Sequence, residues 1–342
     1  MSSSPARAGQ RVGRPAARLV TLAGLLAALA GCAVPPVRDG ALPAVPAPAA
    51  WSESAVDAAP AALARWWERF DDPQLTALMA QALEANASLR SARAALAQAR
   101  ALRDVQAAGL MPSLDASASA QRARPAGGDT ANRFQAGLDA GWELDVFGGR
   151  RAAVQAAEAD TRAAQENLAA TQVSLAAEVA LTYIDMRGLQ SRLAIAHSNL
   201  AAQAETLQLA GWRVQAGLAS SVDLEQARAA TGQTASQIPA LESSIEQAQH
   251  ALAALTGRAP QALRSPLAEA RAVPQPAATL ALSIPAETLR QRPDVRRAEQ
   301  QVAAALARVS QADAARYPGF RLGGTLGLSA LTLGGLSSGA AV

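Results

Sequence analysis

Phe134-Gln135-Ala136-Gly137-Leu138-Asp139-Ala140-Gly141-Trp142-Glu143-Leu144-Asp145-Val146 repeats with a period of two. Phe134, Ala136, Leu138, Ala140, Trp142, Leu144 and Val146 fall on one side, and Gln135, Asp139, Glu143 and Asp145 on the other. Successive side chains of an extended chain point to opposite sides, so this stretch predicts a strand with one apolar and one polar face. Strands of about 9 to 11 residues, apolar toward lipid and polar toward a water-filled lumen, build membrane barrels. A soluble hairpin packed on a helix gives the same alternation, so the strand alone leaves both open.

Two further strands lie outward from it. After Pro112, Leu114, Ala116, Ala118 and Ala120 alternate with Ser113, Asp115, Ser117, Ser119 and Gln121. After Pro318, Phe320, Leu322, Leu326 and Leu328 alternate with Arg321, Gly323, Thr325 and Ser329. Arg122 to Arg133, with Pro125, Gly127 and Gly128, reads as a surface loop. An Ala-rich helical stretch ends at a proline before each of these two strands. The two units share one register: Ala92 and Ala298, Leu96 and Val302, Pro112 and Pro318, and Leu114 and Phe320 each stand 206 residues apart.

Between the units, Arg150 to Ala216 holds no proline, and its interior glycines are Gly188 and Gly211. One helix of that span reaches ~100 Å at ~1.5 Å per residue. Val179, Met186, Leu193, Leu200, Leu207 and Val214 recur every seventh residue, with Leu168, Leu175 and Leu189 on a companion row, which is a coiled-coil seam. Val222 to Thr256 supplies the partner, with Leu224, Ile238, Ile245 and Leu252 on one row and Leu241 and Leu255 on another. Gly217 suits a left-handed helix end, and Ser220 with Asp223 suits a capping box, so a tight turn joins two antiparallel helices. Gly257 and Pro260 end the second helix, and Pro266, Pro274, Pro276 and Pro285 predict an irregular link over 257–285.

The amino terminus carries an address. Arg7, Arg11, Arg14 and Arg18 precede an apolar stretch from Leu19 to Ala30, the charged-then-apolar pattern of a secretory signal and too short for a permanent membrane helix. Leu29-Ala30-Gly31-Cys32 follows, with the only cysteine of the chain where lipidation needs a thiol. A single cysteine allows no intramolecular disulfide. Pro35, Pro36, Pro43, Pro46 and Pro48 predict an extended tether. Removing the four leader arginines takes the formal charge from +3 to −1, which leaves no electrostatic case for nucleic acid. Aromatic residues make up only 3% of the chain while half of it is apolar, which suits narrow helix-to-helix seams better than a thick core.

Leu29-Ala30-Gly31-Cys32 resembles the lipobox of bacterial lipoproteins, and Ala33 after it implies the outer membrane. Trp66-Trp67 with Phe70-Asp71-Asp72-Pro73-Gln74-Leu75, then Gly141-Trp142-Glu143-Leu144-Asp145-Val146-Phe147-Gly148, then Arg290-Gln291-Arg292-Pro293-Asp294-Val295-Arg296-Arg297-Ala298-Glu299 resemble the TolC-like outer-membrane efflux factors, nearest the NodT-type lipoproteins. The resemblance implies a mainly α chain with a membrane β-hairpin, whose long helical hairpin and amphipathic strands join a trimeric α/β barrel of four strands per protomer. It implies a passive exit duct for drugs or other small molecules, a periplasmic adaptor and an inner-membrane pump as partners, and diacylglycerol and N-acyl chains on Cys32. Arg213, Gly217, Leu218, Ala219, Ser220, Ser221 and Asp223 then belong to a periplasmic tip that docks onto the adaptor. The second repeat is expected to continue beyond Val342, with the fourth strand, a second helical hairpin and the gating carboxylates.

The expected organisation is a signal peptide over 1–31, a lipid-anchored tether over 32–70, helices of the first repeat over 71–112 and a transmembrane hairpin over 113–147. The periplasmic α-hairpin follows over 148–256, then the proline-rich equatorial link over 257–285, the helix of the second repeat over 286–318 and a third strand over 319–342. Two other classes compete: a periplasmic adaptor, which has no reason for a helix-proline-strand unit repeating at 206, and a structural coiled-coil lipoprotein, which predicts no amphipathic strands. His197 is expected on or beside the seam and His250 in solvent. No phosphate loop, zinc spacing or nucleophile elbow is present, so neither catalysis nor a metal or cofactor is expected.

Overall fold

The computed structural model describes residues 65–124, 126–275 and 291–337. Cys32, the signal-like segment, the tether as far as residue 64, and Pro276, Pro285 and Arg290 lie outside the described residues. The described chain forms two compact units, one from Arg103–Ala157 and Ala303 onward, the other from residues up to Leu102 and from Glu158–Val302.

The helical unit begins with a 3-10 turn, Trp66–Phe70, and helix α1, Pro73–Ala85. Asp72 opens α1 by accepting from the backbone N–H of Gln74 at 2.8 Å and Leu75 at 3.0 Å, while Pro73 takes a position that needs no donor. Asn86 starts α2, Ala87–Ala108, in the same way, and its Nδ2 donates to the Leu255 carbonyl at 2.9 Å. Helices α3, Gly149–Gln215, and α4, Ser221–Leu255, follow. They run antiparallel side by side: Thr231 Oγ1 sits 3.5 Å from the Gln203 carbonyl, and Leu224 lies 4.0 Å from where a Cβ on Gly211 would stand.

Leu75, Leu78, Met79 and Leu89 pack with Leu175, Val179, Tyr183 and Met186 of α3 and Ile245 and Leu252 of α4 into one buried cluster, flanked by Trp66 against Trp67 edge to face. The seam is fully buried at Val179 and Met186 but only half-buried at Leu193, Leu200, Leu207 and Val214. His197 and His250 are both exposed. Helix α4 runs unbroken through Pro239, as expected over Val222 to Thr256, although the proline leaves the carbonyl four residues earlier without its helical partner. Arg187, singled out by no sequence signal, is completely buried.

Arg187 donates to the Glu269 carbonyl at 2.7 Å, to Gln190 Oε1 at 2.6 Å and to Gln74 Oε1, and its guanidinium lies 5.0 Å from the Tyr183 ring centre. The Tyr183 hydroxyl donates to Asp72 at 2.8 Å, and burial above all pushes its pKa above the ordinary tyrosine value. Gln190 Nε2 donates to the Leu267 carbonyl at 2.8 Å. A charge removed from water needs such partners, and here they tie the start of α1 and the link at 266–269 to the middle of α3.

In the other unit, β1 Ser113–Ala123, β2 Ala131–Leu144 and β3 Phe320–Ala330 form an antiparallel sheet in the order β1-β2-β3. The segment between β1 and β2 is shorter than expected: the ladder continues past the apolar residues and pairs Arg122 with Asn132 and Gln121 with Arg133. Backbone pairing does not depend on side-chain polarity, so composition placed the loop boundary too early. Helix α5, Pro293–Ala314, precedes β3, and its bounds differ from those of α2 by 206 residues at both ends.

Gly257 closes α4 with φ +67°, and a Cβ there would stand 2.9 Å from the Ala85 carbonyl oxygen. Gly217 has φ +70° with open space around it. Gly217→Ala should lower unfolding free energy by about 1 to 2 kcal/mol, the cost of a left-handed alanine, and Gly257→Ala by clearly more. Urea unfolding followed by helical circular dichroism checks this, and equal losses would refute the close approach at Ala85.

Candidate functional site

The turn between α3 and α4 is fixed at both ends. At the end of α3 the Leu218 N–H donates to the Arg213 carbonyl at 2.8 Å and the Gly217 N–H to the Val214 carbonyl at 3.0 Å, the paired closure that a left-handed glycine permits. At the start of α4 the Asp223 N–H donates to Ser220 Oγ at 3.3 Å, and the Ser220 N–H returns to the Asp223 carboxylate at 3.0 Å. The Ser220 backbone N–H, then its hydroxyl, then the Arg213 charge hold the Asp223 pKa below its usual value of 3.8. Arg213 also suits the negative end of α3.

The structure therefore brings Arg213, Gly217, Leu218, Ala219, Ser220, Ser221 and Asp223 together at one helical turn. Ser220 and Asp223 are occupied with shaping it, and it offers a partner an apolar side chain, Leu218 at 72% exposure. Val222 at 61%, within the turn stretch, and Trp212 at 58% flank it; Trp212 was missed in the sequence, since it lies neither on a heptad row nor in the turn. Leu209 and Trp212, three residues apart and both exposed, share one helical face.

The sheet is the second candidate surface. Its register places Leu114, Ala116, Ala118 and Ala120 of β1 beside Ala140, Leu138, Ala136 and Phe134 of β2, and Leu328, Leu326, Leu322 and Phe320 of β3 beside Ala136, Leu138, Trp142 and Leu144. All share one face. The opposite face carries Ser113, Asp115, Ser117 and Ser119, then Gln135, Asp139 and Glu143, then Arg321, Thr325 and Ser329. The apolar face is open, with Leu114 at 68%, Leu322 at 62% and Leu326 at 77% exposure.

Where β2 meets α3, the Asp145 carboxylate accepts from the N–H groups of Arg150 at 3.0 Å and Arg151 at 2.9 Å. Arg150 also pairs with Glu143 and donates to the Gly109 carbonyl at 3.1 Å. The Trp142 indole donates to the Leu110 carbonyl at 3.0 Å, and Phe147 stacks on Tyr317 with ring centres 4.7 Å apart. These contacts explain why the stretch Gly141 to Gly148 is a motif: its carboxylates and aromatic rings join strand to helix. Among the described residues no group of acidic, histidine or cysteine side chains is arranged to hold a metal, and no helix is long and apolar enough to cross a membrane.

A family model described as outer membrane efflux protein matches residues 78–258 and 284–341. Nodulation protein T of Rhizobium leguminosarum bv. viciae is 32% identical over 302 residues, covering 87% of this chain and 62% of that protein. The pyoverdine export outer membrane protein OpmQ of Pseudomonas putida is 31% identical over 329 residues, covering 92% of this chain and 69% of that one. Among solved structures, the outer-membrane channel OprN superposes with a TM-score of 0.73 at 39% identity, covering 81% of this chain and 63% of OprN. The chain thus spans about three fifths of the length of two of these relatives.

Proposed function

The chain belongs to the outer membrane efflux protein family, and from that we propose that it is a subunit of an outer-membrane exit duct, a homotrimer that receives drugs or other small molecules from an inner-membrane pump through a periplasmic adaptor. The observation that carries this reading is the open, wholly apolar face of the three-stranded sheet. A soluble hairpin would cover that face with a helix, whereas a wall between lipid and a water-filled lumen needs one face of each kind. From Phe134 to Leu144 the apolar row of β2 runs about 33 Å along the strand. At the tilt usual for barrel strands that is about 25 Å of height, the thickness of a membrane apolar band.

The alternatives fare worse. A periplasmic adaptor or a structural coiled-coil lipoprotein leaves this face without a partner, and neither accounts for the family match. The role is conduction, not catalysis. Cys32 anchors the amino terminus in the outer membrane through diacylglycerol and N-acyl chains, supported by the lipobox-like sequence before it. The turn from Gly217 to Ser221 meets the adaptor, supported by its pinned backbone and the exposed Leu218, Trp212 and Val222 around it.

Two experiments test the reading. A cysteine at Leu218 or Ser221 should crosslink to the adaptor in cells while one at Ala126, in the loop of the sheet, should not; the reverse pattern would invert the topology. Cys32→Ala should abolish incorporation of labelled palmitate, and unchanged labelling would sink the lipid anchor.

A further inference from the structure

We propose that Arg122 and Arg124 bind the phosphate groups of the glycolipid in the outer leaflet of the membrane, an inference that rests on the duct reading above. The sheet carries the argument. β1 begins next to α2 and β2 ends next to α3, so the segment 124–130 closes the strand ends remote from the helices. In the duct reading, the end of such a sheet remote from the chain's helical connections faces the cell surface.

Along the apolar face, the last apolar cross-strand pair at this end is Ala120 with Phe134. Arg122 and its partner Asn132 come next on the same face, about 7 Å further along the strand. Arg124 shares the parity of Arg122. The face thus changes from wholly apolar to cationic in a single step, just beyond the band that lipid chains would cover. Both side chains are exposed. Among the described residues Arg122 makes no ion pair, while Arg124 Nε donates only to the Gly128 carbonyl at 3.4 Å.

Arginine is costly on a lipid-facing surface within the hydrocarbon and favourable where anionic groups begin. Its planar fork matches two phosphate oxygens, and its aliphatic stem lies along apolar surface. A surface-leaflet glycolipid presents both parts, acyl chains against Phe134 and Leu328 and phosphates above them. Arg133 supplies an internal control. It pairs with Gln121 at the same height, but its parity places it on the polar face.

The test inserts the protein into phosphatidylethanolamine vesicles containing either bisphosphorylated lipid A or its dephosphorylated form, then counts retained glycolipid by native mass spectrometry. Replacing both Arg122→Gln and Arg124→Gln should cut retention of the bisphosphorylated form about tenfold. Arg133→Gln should retain as much as the unaltered protein, and no variant should differ with the dephosphorylated form. Undiminished retention by the double variant would overturn the proposal, as would an equal loss in Arg133→Gln, which would signal net charge rather than the outward face. Displacement by millimolar inorganic phosphate would also overturn it, marking a general anion site. If the unaltered protein does not insert, the duct reading fails and takes this inference with it; insertion without an effect of the arginines defeats the inference alone.

Discussion

Three strands held in one antiparallel register put every large apolar side chain of the sheet on a single face, and the remaining architecture follows from how that face is used. Because side chains alternate strictly, a slip of one residue in either pairing would set Leu138 or Leu326 among Asp139, Thr325 and Ser117. The glycines on the polar side serve the same arrangement. At Gly141 a Cβ would stand 3.3 Å from the Arg321 guanidinium, which crosses the strand there. Backbone pairing fills the ladder, the two faces differ in polarity, and the segments leaving the sheet must carry the chain into helices without breaking either condition. Asp145 does this for β2, because its carboxylate satisfies the first N–H groups of α3 just after the strand ends.

The helical unit solves a different problem. Long helices with Ala-rich seams bury little surface per turn, so their position depends on a few larger contacts. At Arg187 the helix is gripped by hydrogen bonds that the guanidinium donates to Gln74, Gln190 and the carbonyl of Glu269 rather than by shape alone. Such a hydrogen-bonded polar cluster contributes directionality that alanine cannot, and it holds the link after α4 against the middle of α3. At the far end the paired closure at Gly217 and the reciprocal bonds of Ser220 and Asp223 keep the turn rigid, which lowers the ordering cost for any partner that docks there.

Much of this was legible in the sequence because it rests on periodicity. The period of two in residues 134–146, the heptad row from Val179 to Val214 and the offset of 206 each report a local geometry that distant contacts do not need to enforce. The turn was readable for the same reason, since Gly217, Ser220 and Asp223 act within a few residues of one another. What escaped depends on distant segments or on exposure. Arg187 reads as an ordinary helix arginine until Gln74 and Glu269 come to it from more than 80 residues away on either side. Trp212 gives no signal of its being exposed. The helix through Pro239 did not escape, because the apolar row of Leu224, Ile238, Ile245 and Leu252 continues on both sides of it.

The central claim is that one face of the sheet meets lipid and the other meets water. Single cysteines along β2 in the protein in its membrane test it directly, at Gln135 and Asp139 on one parity and at Ala136, Leu138 and Ala140 on the other. A membrane-impermeant maleimide should label the first set, while a fluorophore on the second set should be quenched by a nitroxide in the acyl chains. Labelling that ignores parity, or quenching at Gln135 and Asp139 instead, would contradict the account.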